Sequence, residues 1–180
     1  MYYIGVDPSL TNTGLVVLDS QMNENFISES SAVIKSSVVR STGALRLKML
    51  KEHLELSLQS YTELSVAYEG YSFYSTNKSF SLGELGGVYK LALYELTGED
   101  PRIVSPNKLK LFAIGSGGAS KENMIRTAKE EGFRYSSHDL CDAFFLAKYC
   151  FYRENPEKAA ELDTHRKLVR NRLEITQKEE

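Results

Sequence analysis

Residues Tyr2 to Asp19 constrain this chain more than any other stretch. Tyr2-Tyr3-Ile4-Gly5-Val6 is an apolar, β-prone run that ends in a carboxylate, Asp7; Pro8 to Gly14 has turn chemistry, and Leu15 to Leu18 is β-prone again. The pattern predicts a hairpin with an acid at its mouth. An unpaired carboxylate at the end of a central strand is costly to bury, so Asp7 must either accept hydrogen bonds within the turn or meet a cation.

Downstream, Asn25 to Lys35 mixes serines and acids with apolar residues, and its latter half is predicted as a third, edge strand completing an antiparallel meander. Ala44 to Tyr61 spaces Leu47, Leu50, Leu54 and Leu58 by three and four, the stripe of an amphipathic helix lying on a sheet. Leu64-Ser65-Val66-Ala67-Tyr68-Glu69 repeats the first pattern, a short strand ending in an acid. A helix joins it to the meander, so it should run parallel to the first strand and present Glu69 at the same sheet end as Asp7.

Tyr71 to Asn77 is an aromatic, hydroxyl-rich loop, and Lys78 to Leu96 is predicted as a helix. That helix contains Gly83, Gly86 and Gly87. Each interior glycine costs about 1 kcal/mol relative to alanine, so three imply close approach of another backbone. Arg102 to Ser105 reads as a fifth strand, Pro106 starts a helix capped by Ser105, and Ser120 caps another running through Glu131. Ser137 to Tyr149 is a mostly apolar helix that opens with Asp139 and Asp142, and a charged helical tail is predicted from Glu157 to Lys178.

The length of 180 residues suits one domain with a core of its own. Cys141 and Cys150, nine apart in one apolar segment, are too far apart on a helix for a disulfide and read as reduced core residues. No basic region precedes the N-terminal apolar run, and no apolar stretch approaches the ~20 residues of a membrane span. The expectation is a cytoplasmic protein, not secreted and without a membrane partner.

Net charge is −2, but the charge is unevenly distributed. Seven bases face three acids between Arg102 and Arg134, whereas six acids face two lysines between Tyr61 and Pro101. Such neighbouring blocks suit a polyanion held over carboxylate-bound metal, and they also arise from solvated helix faces. Asp139 and Asp142 share one helix face and should repel. The dipole of a helix N-terminus relieves part of that repulsion, but the apolar run Ala143 to Ala147 should hold this first turn against the sheet, where acids are not simply solvated. Together with Asp7 and Glu69 they form an all-oxygen set suited to Mg2+ or Mn2+, and two such ions can activate water and stabilise a leaving oxygen in phosphodiester hydrolysis.

The order of elements and five short motifs resemble the RuvC family of Holliday-junction resolvases, within the ribonuclease H-like superfamily, and the resemblance extends to phage-type members. The motifs are Val6 to Gly14, Tyr68-Glu69-Gly70, Leu82 to Val88, Lys110 to Lys121 and Asp139-Leu140-Cys141-Asp142-Ala143, and the likeness covers roughly Met1 to Phe151. It implies an α/β fold with a five-stranded mixed sheet flanked by helices, a nuclease domain over 1–152 and a charged extension over 153–180. It also implies a magnesium-dependent homodimer that binds branched DNA and resolves four-way junctions by paired nicks, leaving 5′-phosphate and 3′-hydroxyl ends, in DNA recombination and repair in a bacterial or phage-infected cell.

By the same resemblance, Asp7, Glu69, Asp139 and Asp142 are the catalytic, metal-binding acids for two Mg2+ ions, with Mn2+ as a substitute. Lys110 and Lys121 fall on functional lysines facing DNA, Tyr71 or Phe73 lies where an aromatic meets junction bases, and the glycine-rich helix is the dimer helix. Three residues depart from the pattern: Ser9 replaces the usual glycine after Asp-Pro, Glu84 stands where glutamine is usual, and His138 precedes Asp139. Glu84 and His138 are candidates for the outer surroundings of the site, with a capping or surface role as the simpler reading of His138. The rival readings are a broader branched-DNA or flap nuclease and a nucleotide-binding domain of the actin or sugar-kinase type, which also opens on a strand, an Asp and a turn. The latter requires a duplicated domain for which 180 residues are too few.

Overall fold

The N-terminal hairpin seeds a five-stranded sheet. In the computed structural model, which describes residues 1–29, 43–70 and 79–159, β1 (Tyr2–Asp7) pairs antiparallel with β2 (Gly14–Leu18) and parallel with β4 (Leu64–Glu69). The edges are β3 (Glu24–Glu29), antiparallel to β2, and β5 (Arg102–Val104), parallel to β4, giving the order β3-β2-β1-β4-β5. Among the described residues five helices accompany the sheet: α1 (Gly43–Leu58), α2 (Ser79–Thr97), α3 (Pro106–Ile114), α4 (Lys121–Glu130) and α5 (His138–Glu154). The expected mixed sheet of meander plus parallel strands is therefore present. Among the described residues no helix is long and apolar enough to cross a membrane.

One strand differs from expectation. The third occupies Glu24–Glu29, the first half of its segment, because Phe26 and Ile27 pair with Val17 and Val16 and place one apolar side chain on each sheet face. Most of the predicted latter half lies outside the described residues, as do the aromatic loop Tyr71 to Asn77 and most of the tail.

Strand periodicity sorts the core into two layers. Ile4, Val6, Leu15, Val17, Val66 and Tyr68 point to the side covered by α1 and α2, where Leu50, Leu54, Leu58, Leu85 and Leu93 meet them. Tyr3, Val16, Leu18 and Ala67 point to the opposite side, covered by α3, α4 and the buried length of α5. Two glycines set how closely α5 approaches. A Cβ on Gly5 would lie 1.8 Å from the Ala143 carbonyl oxygen, and one on Gly14 would lie 2.2 Å from that of Asp139. Cys141 and Cys150, both on α5, are free and buried, as expected.

The glycines of α2 behave differently. The close approach predicted for them is not made by any described residue at Gly83 or Gly87, where an added Cβ would have nothing within 4 Å. These positions lie on the outer side of the helix, near Phe80, Leu91 and Tyr94, which are 90%, 55% and 50% exposed.

Candidate active site

The strand alternation that makes the core also aims the acids. Asp7 has the parity of Tyr3 and Gly5, and Glu69 that of Ala67, so both turn toward α5; the pairing of Val6 with Tyr68 brings the two strand ends side by side. Across from them, Ser137 caps α5 by accepting from the Leu140 amide, and Asp139 and Asp142 occupy its first turns. Carboxylate oxygens of Asp7, Glu69 and Asp142 all lie within 4.8 Å of one another.

Crowding shows in the proton affinities. Burial, then the Glu69, Asp142 and Asp139 charges, raises the Asp7 pKa well above the usual carboxylate range, and its carboxyl hydrogen-bonds Glu69. Burial also raises Glu69, against the lowering effects of the Asp7 bond and the Lys110 charge. Asp142 is pushed up to about 7, first by burial and then by Glu69 and Asp139, with Lys110 and Lys121 opposing. The hydrogen bond between them thus favours the protonated form of Asp7 and the charged form of Glu69. Lys110 on α3 and Lys121 at the start of α4 bring positive charge to the same acids.

Asp139 stands outside the tight trio. Its Oδ2 accepts from the Asn12 side-chain amide at 2.7 Å, and that same amide nitrogen donates to Glu29 at 2.9 Å. Neither Asn12 nor Glu29 was expected at the site. Glu29 carried a visible signal, since it ends its strand as Asp7 and Glu69 end theirs; Asn12 carried none beyond its place in the turn.

Ser9 leaves that turn intact. Its Oγ accepts from the Thr11 and Asn12 amides, at 3.2 and 3.3 Å, and it is not among the described residues with positive φ. Thr13 Oγ1 accepts from the Ser9 amide at 3.1 Å and donates to the Ser9 carbonyl at 2.9 Å. With its proton so used, Thr13 accepts from the Tyr89 hydroxyl at 3.1 Å, tying the turn to α2.

Other expected residues lie further out. His138 is half-buried at the start of α5, while Glu84 is exposed on α2. Tyr71 and Phe73 lie outside the described residues.

The meander, the two parallel strands and an acidic centre between strand ends and the helix laid over them define a ribonuclease H-like protein. A family model described as "Crossover junction endodeoxyribonuclease RuvC" matches residues 3–146, and the chain belongs to that family. It is 26% identical over 147 residues to the crossover junction endodeoxyribonuclease RuvC of Wolbachia sp. subsp. Brugia malayi (strain TRS), covering 80% of this chain and 90% of the relative. Its fold matches a structure of Thermus thermophilus RuvC with a TM-score of 0.70 at 22% identity, over 87% of this chain and 97% of that one. T. thermophilus RuvC in complex with Holliday junction substrate matches with a TM-score of 0.71 at 22% identity, over 85% and 94%.

Proposed function

We propose that this chain resolves four-way DNA junctions by paired nicks, with Asp7, Glu69 and Asp142 as cation ligands and Asp139 joining them. The convergence of three carboxylates within 4.8 Å carries the reading. A half-buried cluster of like charges is unfavourable by itself, and its all-oxygen donors fit a hard divalent ion better than zinc. Bound there, two Mg2+ ions, or Mn2+ in their place, supply an activated water and charge neutralisation at the leaving oxygen. The chain's own residues prepare for this. Asp7, Glu69 and Asp142 would hold the ions as carboxylates, and Lys110 and Lys121 would draw the scissile phosphate over the acids.

Paired nicks require two centres. Phe80, Gly83, Gly87, Leu91 and Tyr94 recur at helical spacing on the outer side of α2, and a second copy of the chain packing on this stripe would supply the other centre. The two-fold relation between opposite strands of a four-way junction suits such a dimer, and the T. thermophilus relative bound to a Holliday junction supports the substrate assignment. Action on DNA supports the cytoplasm of a bacterial or phage-infected cell as its location.

The test compares a labelled four-way junction with linear duplex in Mg2+ or Mn2+. The junction should be cut selectively and symmetrically, and Asp7→Asn should lower cutting by more than about a hundredfold. Equal cutting of both substrates would overturn junction resolution, and full activity in Asp7→Asn would overturn the metal centre. Charge reversal at both Lys110 and Lys121 should abolish cutting, and intact junction affinity and cutting in that variant would remove their phosphate role.

A further inference from the structure

We infer that Asn12 is a positioning residue for Asp139, and that it fixes this acid by sharing one amide group between Asp139 and Glu29 at the end of the edge strand. Three observations carry this. The Asn12 nitrogen donates to both carboxylates, at 2.7 and 2.9 Å. The opposite placement of the amide is excluded chemically, because it would set a carbonyl oxygen against two carboxylate acceptors. Finally, Asn12 Oδ1 is buried without a hydrogen-bond partner among the described residues, so the orientation is held by the two acids and not by anything on the oxygen side.

The arrangement has a consequence for the centre. Asp139 and Glu29 are like charges brought to the same edge, and Asn12 is the neutral donor between them. With Oδ2 held, the Asp139 carboxylate has a fixed direction at the edge of the trio. Removal of Asn12 leaves two carboxylates facing each other, and Asp139 loses the orientation that ligation needs. Partners that orient a ligand in this way typically contribute ten- to hundredfold in metal affinity.

The inference rests on the metal-centre reading above, so the experiment separates the two. Mn2+ is titrated into the full chain without DNA, and free ion is followed by electron paramagnetic resonance; thermal unfolding in chelator is recorded alongside. Asn12→Ala should weaken Mn2+ binding by roughly ten- to hundredfold. Glu29→Ala, which leaves the turn untouched and removes only the outer anchor, should weaken it in the same direction by less, and keeps the inference testable should Asn12→Ala not fold. Loss of melting temperature with wild-type Mn2+ affinity in the folded variants would make Asn12 a merely structural turn residue and overturn the inference. Asp7→Asn serves as the control: if it abolishes Mn2+ binding while Asn12→Ala does not alter it, the positioning role falls and the metal centre stands. If Asp7→Asn also binds as wild type, the metal centre falls and the inference with it.

Discussion

The two faces of the sheet carry helices of different character. On one face α5 is buried along most of its length, pressed onto β1 and β2 where Gly5 and Gly14 leave no room for a Cβ, and its first turns deliver Asp139 and Asp142. On the other, α2 buries Leu85, Tyr89, Ala92 and Leu93 but leaves Phe80, Leu91 and Tyr94 exposed beside glycines with open space. Both helices are rich in apolar residues. The difference lies in what their small neighbours do: on the first face they fix a distance within the chain, and on the second no described residue approaches them.

Exchanging glycine for alanine on the two faces should therefore have opposite effects. Gly5→Ala drives a methyl into the Ala143 and Ala147 backbone and should cost more than about 3 kcal/mol, read as a large drop in denaturation midpoint or failure to fold. A folded Gly5→Ala protein of wild-type stability would break the contrast. Next in size, if a second copy packs on this stripe, Phe80→Glu should leave the monomer's far-ultraviolet circular dichroism unchanged and weaken self-association by roughly a hundredfold in sedimentation, since a two-fold contact would be altered on both sides.

A third effect belongs to the α5 face alone. Asp142 in the folded chain has a pKa of about 7 against an ordinary 3.8, and Asp7 is raised as well. The folded state then holds protons that the unfolded chain has released. Its contribution to stability is fully present below the ordinary value and is lost as pH rises through the folded one, from about pH 4 to about pH 7. Metal-free protein should accordingly melt several degrees lower at neutral than at mildly acidic pH. Asp142→Asn should flatten that dependence, and added Mg2+ should restore the neutral-pH melting temperature. A metal-free melting temperature independent of pH over this range would contradict the crowded-carboxylate description.

The smallest effect sharpens the comparison from the other side. Gly83→Ala adds a methyl to open space in a helix and should stabilise the isolated chain by up to about 1 kcal/mol, while loosening self-association if the stripe is the contact. Denaturant melts at low concentration and sedimentation at high concentration read the two consequences separately.

Much of the architecture was legible because short β-prone runs and leucine spacing report local structure directly. Leu64–Glu69 came out with the predicted bounds, and Asp7 and Glu69 met because parallel pairing follows from a helical crossover. The third strand was harder: apolar residues occur in both halves of its segment, and only pairing with Val16 and Val17 selects Phe26 and Ile27. The glycines of α2 suggested a close approach, and no described residue makes one at Gly83 or Gly87. Asn12 was hidden for a different reason. Its role depends on an acid 127 residues away and on the register of an edge strand, neither of which leaves a local pattern.

The seating of α5 on the sheet is a contact between main chains, and this governs how the molecule can change over time. Surrounding leucines and valines can trade volume with one another and a core will still fill. Gly5 and Gly14 have no such latitude, because no neighbouring side chain exists whose shrinkage could compensate a methyl placed against a carbonyl oxygen. The spacing between the sheet and the acids of α5 is thus recorded in two residues with no side chain, and a designer transplanting this centre into a new sequence would have to fix those two before choosing any of the core around them.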